Sequence, residues 1–312
     1  MSHIVVSWST AYDYIMSYRW NLEDEIKKWI THKLNVAFDI DEMYRQSGGT
    51  GMNISYNLAL LGENPILLTS IGKDYIFSDF IKENVNLDFI HISAKKMTSS
   101  WYITSDASQN QITAFYPWAM NEADSIIARN VNIPTNYWIV SPNKKEAMLS
   151  HIKDMHTAWV EIFFDPGPQL KNFSKEELII ASEMSDYLIV NDNEYTEFKE
   201  IMWLEDEEIR KFFSKLIITY WENGAKIIDD TWVTHIPAVR NHHLVDTTWV
   251  GDAFRAGLLK GLNTKKSWRT SWMIGALLAS FCLWAHGAQN HFIDQKHFRS
   301  WFYEEFGEEI EL

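Results

Sequence analysis

Short apolar runs separated by amphipathic stretches constrain this chain more than any other feature. Tyr137–Ser141, Val160–Asp165, Tyr187–Asn191 and Leu216–Thr219 are four to six residues long. His3–Ser7 and Pro65–Ile71 read the same way, and Met52–Leu61 has helical spacing after a glycine-rich turn. Lys144–Met155, Lys175–Met184 and Asn193–Phe213 are amphipathic and lie between the later runs. Strands alternating with helices predict βαβ units and a mostly parallel sheet. Strands that are apolar throughout predict a sheet covered on both faces. The fold class is therefore α/β.

Two segments break this rhythm. Lys33–Asp39 and Ser99–Pro117 alternate apolar with polar residues, and Trp101, Ile103, Ile112, Ala114 and Tyr116 mark period two around a turn at Asp106–Asn110. They predict a small antiparallel sheet with one face toward water. A parallel core carrying such a flap suits an enzyme that closes over its substrate. No repeat, low-complexity tract or Pro/Gly/Ser linker divides the 312 residues.

Charge and cysteine content exclude several roles. Lys plus Arg is 28 and Asp plus Glu is 42, a net charge of −14. Such a chain lacks the clustered cations that nucleic-acid backbones and anionic lipid reward. The single cysteine, Cys282, forms neither an internal disulfide nor a cysteine-based zinc site, so a reducing cytoplasm fits. Met1–Val6 lacks the basic leader of a secretory signal. The apolar run Met273–Ala285, interrupted by Gly275 and Ser280, falls short of the ~18 residues of a membrane span and reads as a buried helix.

Four motifs offer chemistry. Ser47-Gly48-Gly49-Thr50-Gly51-Met52-Asn53 opens an apolar helix. Its glycines let backbone approach a ligand, and Asn53 has the donor and acceptor that suit a sugar hydroxyl. A plain helix start explains the segment equally well. In Thr248-Trp249-Val250-Gly251-Asp252-Ala253-Phe254, a carboxylate stands at the opening of another apolar helix. The helix amides suit a phosphoryl group, and Asp252 could take a proton from an attacking hydroxyl or simply cap the helix. Asn191-Asp192-Asn193-Glu194 ends an apolar strand, where carboxylates suit a magnesium–water cluster or, again, a helix cap. Thr219-Tyr220-Trp221-Glu222-Asn223-Gly224 borders a nucleotide or forms an ordinary hairpin loop.

Together and in this order, the four motifs resemble the ribokinase-like (PfkB-type) carbohydrate and nucleoside kinases, end to end. Asp246–Phe254 matches that family's Asp-Thr-x-Gly-Ala-Gly-Asp-Ala-Phe signature except at the Gly-Ala. The resemblance implies a three-layer sandwich in one domain, residues 1–312, with a small β lid formed by about 14–45 and 98–120. It implies that Asp252 is the catalytic base and Gly251 part of the anion hole. Asp13, Gly48, Gly49 and Asn53 would bind the sugar. Asn191, Thr219, Gly224, Trp249, Val250, Gly251 and Asn290 would line the ATP site. Glu194 would hold Mg2+ through water, and Asp246 and Thr248 would form part of a K+ site. Gln111–Met120 looks like the lid of bacterial adenosine kinases, with Phe115 as an aromatic face and Gln111 as a hydrogen-bonding edge for a purine; lid core is the other reading of Phe115. The implied activity is transfer of the γ-phosphoryl group of ATP to the 5′-hydroxyl of adenosine. The alternatives are a ribose or fructose kinase, or a nucleoside-binding protein without turnover. The implied assembly is a monomer or a homodimer paired through the lid.

The departures from the family pattern involve tryptophan. The chain has 15 tryptophans and 13 glycines, a glycine share of about 4% against a usual ~7%. The family would place glycine at Trp8, Trp118, Trp221 and Trp249, and alanine at Val250. Trp20, Trp29, Trp159, Trp203, Trp232 and Trp272 also stand in turns or helix starts. An indole at 249 adds bulk where phosphate-facing amides are needed, and a β-carbon penalises any left-handed turn there. The expectation is an impaired anion hole beside an intact Asp252.

Overall fold

A computed structural model of the chain describes residues 2–29, 36–108, 110–229, 232–239 and 248–312. The strands are β1 (His3–Ser7), β2 (Ala11–Tyr18), β3 (Glu42–Gly48), β4 (Ile66–Leu68), β5 (Ser70–Gly72), β6 (His91–Ser93), β7 (Ser99–Asp106) and β8 (Gln111–Tyr116). They continue with β9 (Thr135–Val140), β10 (Glu161–Phe164), β11 (Tyr187–Asn191), β12 (Lys215–Thr219), β13 (Ala225–Ile228) and β14 (Val233–Ile236). The helices are α1 (Leu22–Trp29), α2 (Thr50–Leu60), α3 (Asp79–Asn84), α4 (Lys145–His156), α5 (Lys175–Glu183), α6 (Asp192–Met202), α7 (Asp206–Ile209), α8 (Val250–Asn263), α9 (Trp268–Cys282) and α10 (Gln295–Phe306).

Eight strands form the main sheet in the order β14-β13-β12-β11-β10-β9-β1-β4. From β4 to β12 every neighbouring pair is parallel, and β13 and β14 close one edge antiparallel. The alternation of side chains along each strand sorts them into two cores. Ile4, Val6, Ile139, Phe163, Ile189 and Ile217 face a cluster that includes Leu58, Leu258, Leu278 and Phe298 from α2, α8, α9 and α10. Val5, Trp138, Phe164, Leu188 and Ile218 face the other, with Ile152, Leu178 and Phe198 from α4, α5 and α6. This is the predicted arrangement of a mostly parallel sheet between two helical layers. The run around Met273 is the middle of α9, which is buried from Ser271 to Cys282.

A second, four-stranded sheet has the order β3-β2-β7-β8. Its outer pairs are antiparallel and its central pair, β2 with β7, is parallel. The expected strand over Lys33–Asp39 is not part of it. Residues 33–35 lie outside the described residues, and 36–40 form no ladder. Val36, Phe38 and Ile40 are nonetheless half-buried between exposed neighbours, and Phe38 packs on Tyr18 with ring centroids 4.9 Å apart. The period-two burial is therefore real, but side-chain packing produces it without strand pairing. The run Pro65–Ile71 is likewise two strands, because the chain leaves the main sheet after Leu68 and β5 pairs with β6 instead. Asn193–Phe213 divides where α6 ends at Trp203, a left-handed residue.

Candidate active site

The parallel strands end on one side of the main sheet, where ligands of such folds bind. A cavity of about 1030 Å³ opens there, lined by Asp165, Asn191, Glu194, Thr219, Gly251 and Asp252 among others. Thr50, Trp221, Gly224, Thr248, Val250 and Arg255 complete its working walls. Asp252 is the third residue of α8 and is 7% exposed. It is not the helix cap: Trp249 holds that position and makes no side-chain capping bond. Burial pushes the Asp252 carboxyl up to about 7, although Arg255 and the hydrogen bond from Asn53 favour its ionised form. A carboxylate that titrates near neutrality is suited to accept and release a proton.

Asn53 joins this cavity to the glycine turn. Its Nδ2 donates to Asp252 Oδ2 at 2.8 Å, and its Oδ1 accepts from Gln289 Nε2 at 2.9 Å. Both ends of the amide are thus used inside the protein. Behind Asn53, Gly49 takes φ +83° at the start of α2, a left-handed geometry that favours glycine. Gly48 lies against Asp13, and a β-carbon there would stand 1.8 Å from Asp13 Oδ2. Asp13 itself is fully buried on β2.

The small sheet brings further side chains into line with Asp13. Asp13 pairs with Gln46 on β3 and with Trp101 on β7, and Trp101 pairs with Phe115 on β8. Cross-strand partners share a face, so Gln46, Asp13, Trp101 and Phe115 form one row. The Trp101 and Phe115 rings lie 4.4 Å apart. Gln111 is on the same strand as Phe115 but about 13 Å along it, where it is exposed and donates to Ser105 Oγ at 3.2 Å. Asn290, expected beside ATP, does not line the cavity. Its Nδ2 donates to His286 O at 2.7 Å and to Gln46 Oε1 at 3.4 Å, which places it at the Asp13 side.

Asn191 and Glu194 realise the capping alternative: each side chain accepts the other's backbone N–H at 2.8 Å. They also line the cavity, and burial raises the Glu194 carboxyl. Thr219 and Gly224 bracket the β12–β13 hairpin on the same cavity. Asp246 lies outside the described residues, and Thr248 is at the cavity rim. Trp249 takes φ −107°, so its β-carbon meets no left-handed penalty there. Its indole Nε1 is buried without a hydrogen-bond partner among the described residues.

Two residues escaped the sequence reading. Arg255 Nε and Nη2 donate to Asp165 Oδ2 and Oδ1 at 2.6 and 2.7 Å, and Nη1 donates to Gly251 O at 3.0 Å. Ser141 Oγ also donates to Asp165, which is fully buried. The fork thus ties the end of β10 to the first turn of α8. The available signal was a lone cation inside the apolar run Ala253–Leu259, one turn after Asp252.

Residues 1–295 match the family model of the pfkB family carbohydrate kinases. A nucleoside kinase of Methanocaldococcus jannaschii is 26% identical over 295 residues, 93% of each chain. The structure of Burkholderia thailandensis nucleoside kinase in complex with inosine superposes with a TM-score of 0.90 at 28% identity, covering 98% of this chain and 100% of that one. The same enzyme in complex with ADP-inosine gives 0.87 at 29% identity, over 98% and 97%.

Proposed function

We propose that this chain, which belongs to the pfkB family of carbohydrate kinases, transfers the γ-phosphoryl group of ATP to the 5′-hydroxyl of a purine nucleoside, adenosine foremost. The observation that carries this reading is the position of Asp252. It faces the cavity on one side and is tied through Asn53 to the glycine turn beside Asp13 on the other. An acceptor bound over Asp13 and a nucleotide in the cavity would meet at this carboxylate.

Asp252 takes the proton of the attacking hydroxyl as the new P–O bond forms and the bond to the ADP oxygen breaks. The free amides at the start of α8, at Val250 and Gly251, face the transferring group. Arg255 keeps that turn in place through the Gly251 carbonyl. Among the described residues no group of three acidic, histidine or cysteine side chains could cage a metal. That fits Mg2+, which keeps its waters and binds through substrate phosphates with one or two carboxylates. Glu194 would hold such an ion through water, and the ion would neutralise phosphate charge. The small sheet acts as the lid, since its Asp13 row forms one wall of the acceptor site. The aromatic pair Trp101 and Phe115 in that row favours a nucleoside over a free sugar, because a flat base needs a stacking wall. The inosine-bound relative supports the same preference.

A second reading, nucleoside binding without turnover, is favoured by Trp221 in the cavity wall and by the orphaned Trp249 indole at the helix start. ADP release from Mg-ATP, measured with adenosine, inosine, ribose and fructose in parallel, separates the readings. Turnover with adenosine or inosine is expected. Turnover with ribose or fructose alone would overturn the nucleoside assignment. Nucleoside binding with no turnover would establish the second reading.

A further inference from the structure

Among the described residues, five that are not glycine take a left-handed φ, and four of them are tryptophans: Trp118 (33°), Trp159 (59°), Trp203 (54°) and Trp221 (50°). Tryptophan supplies only 15 of 312 residues. For a bulky side chain this conformation is an outlier, because the β-carbon crowds the carbonyl; glycine enters it freely. Each of the four also stands where glycine commonly serves. Trp203 is the left-handed cap of α6, with its N–H donating to Lys199 O at 2.8 Å. Trp159 ends the turn after α4, Trp221 opens the β12–β13 hairpin, and Trp118 begins the short helix after β8.

Three of the indoles gain little in return, a lysine 5.5 Å over the Trp203 ring aside, while the fourth, Trp118, packs edge-on against Tyr116 with centroids 4.2 Å apart. Trp159 is 96% exposed, Trp203 83% and Trp221 66%, although tryptophan is normally among the more buried residues. By contrast Trp268, Trp272, Trp284 and Trp301 all pack in aromatic clusters. The four strained tryptophans stand in four separate turns or element ends. They share a left-handed backbone, and independent point changes would not select for that. One cause that would act on all four is a codon with two meanings: UGA is read as tryptophan in some bacterial genetic codes and as glycine in others.

We infer that residues 118, 159, 203 and 221 are glycine in the organism that makes this protein, specified there by a codon that another code reads as tryptophan. The exposed indoles then disappear, four left-handed turns lose their strain, and the wall of the nucleotide cavity at 221 opens.

Tandem mass spectrometry of the protein purified from its own cells reads the four positions directly. Glycine at all four is expected, and tryptophan at any of them would overturn the inference. Recombinant chains test the geometry behind it. The pair Trp159→Gly, Trp203→Gly is compared with Trp159→Ala, Trp203→Ala by thermal unfolding; both remove the indoles, and only glycine relieves the left-handed strain. The glycine pair should melt about 4–8 °C above the alanine pair. Equal or lower melting would overturn the claim that these backbones require glycine. Neither measurement involves a substrate, so failure of the nucleoside reading would leave both unchanged.

Discussion

Replacing Arg255 with methionine strikes stability and chemistry at once, with separate readouts. The guanidinium is the two-pronged partner of Asp165, a fully buried carboxylate. Without it, Asp165 keeps, among the described residues, the Ser141 hydroxyl as its side-chain partner. Breaking one side of a buried ion pair costs about 3–5 kcal/mol. At about 2 °C per kcal/mol for a chain of this size, the melting temperature should fall by about 5–10 °C. The second effect falls on Asp252. Burial raises its carboxyl, and Arg255 is the first of the groups that oppose the rise. Losing that charge moves the pKa higher still. Because the ionised carboxylate is the active base, the acid limb of kcat/KM, expected near 7 in the parent, should move to higher pH. A shift of one unit would cut the ionised fraction at pH 7 from about half to about a tenth. ADP release measured between pH 5.5 and 9, beside thermal unfolding, reads both effects. Arg255→Lys keeps the charge but loses the fork, so its acid limb should stay closer to the parent's. An acid limb for Arg255→Met at or below the parent's pH would refute the electrostatic coupling. An unchanged melting temperature would refute the pairing with Asp165.

Three further outcomes are expected. Asp252→Asn should abolish turnover yet stabilise the fold above pH 7: a carboxyl raised from 3.8 to about 7 favours the protonated folded state, so the parent loses stability as pH rises through that window. The gain is at most about 4 kcal/mol, read by urea unfolding at pH 8, and no gain would show that Asp252 is not held near neutrality. Trp249→Gly with Val250→Ala should raise kcat by about 100-fold or more if the helix-start amides serve as an anion hole; an unchanged kcat would remove that role. Phe115→Ala should raise KM for adenosine by about 5- to 150-fold, the worth of one stacked base, and a KM that does not move would take Phe115 out of the acceptor site.

The sequence made the main sheet and its flanking helices legible because each strand is apolar on both sides and each helix keeps its own period. β11 has the bounds read from its apolar run, and β9, β10 and β12 differ from theirs by one to two residues. The small sheet was legible only at β7 and β8, whose alternation is local. β2 carries Asp13 and Ser17 among aromatics, so no pattern marked it as a strand. The site was visible where it is built from neighbours in sequence, as in the turn 47–53 and the start of α8. Contacts between distant residues were not. Asn53 meets Asp252 across 199 positions and Arg255 meets Asp165 across 90. The row from Gln46 to Phe115 depends on strand register, which no residue states by itself. The contact of Asn290 with Gln46, 244 positions away, was hidden for the same reason.

The doubly engaged amide of Asn53 changes how an acceptor would be recognised. Nδ2 has a second N–H and Oδ1 a second lone pair, so a hydroxyl can bind either end while Asp252 and Gln289 stay in place. Recognition there needs no exchange of partners: the amide is already held in one orientation, and little side-chain freedom remains to be lost. Its effect is preorganisation. The same donor fixes where the carboxylate stands, so an acceptor hydroxyl meets a base already in position.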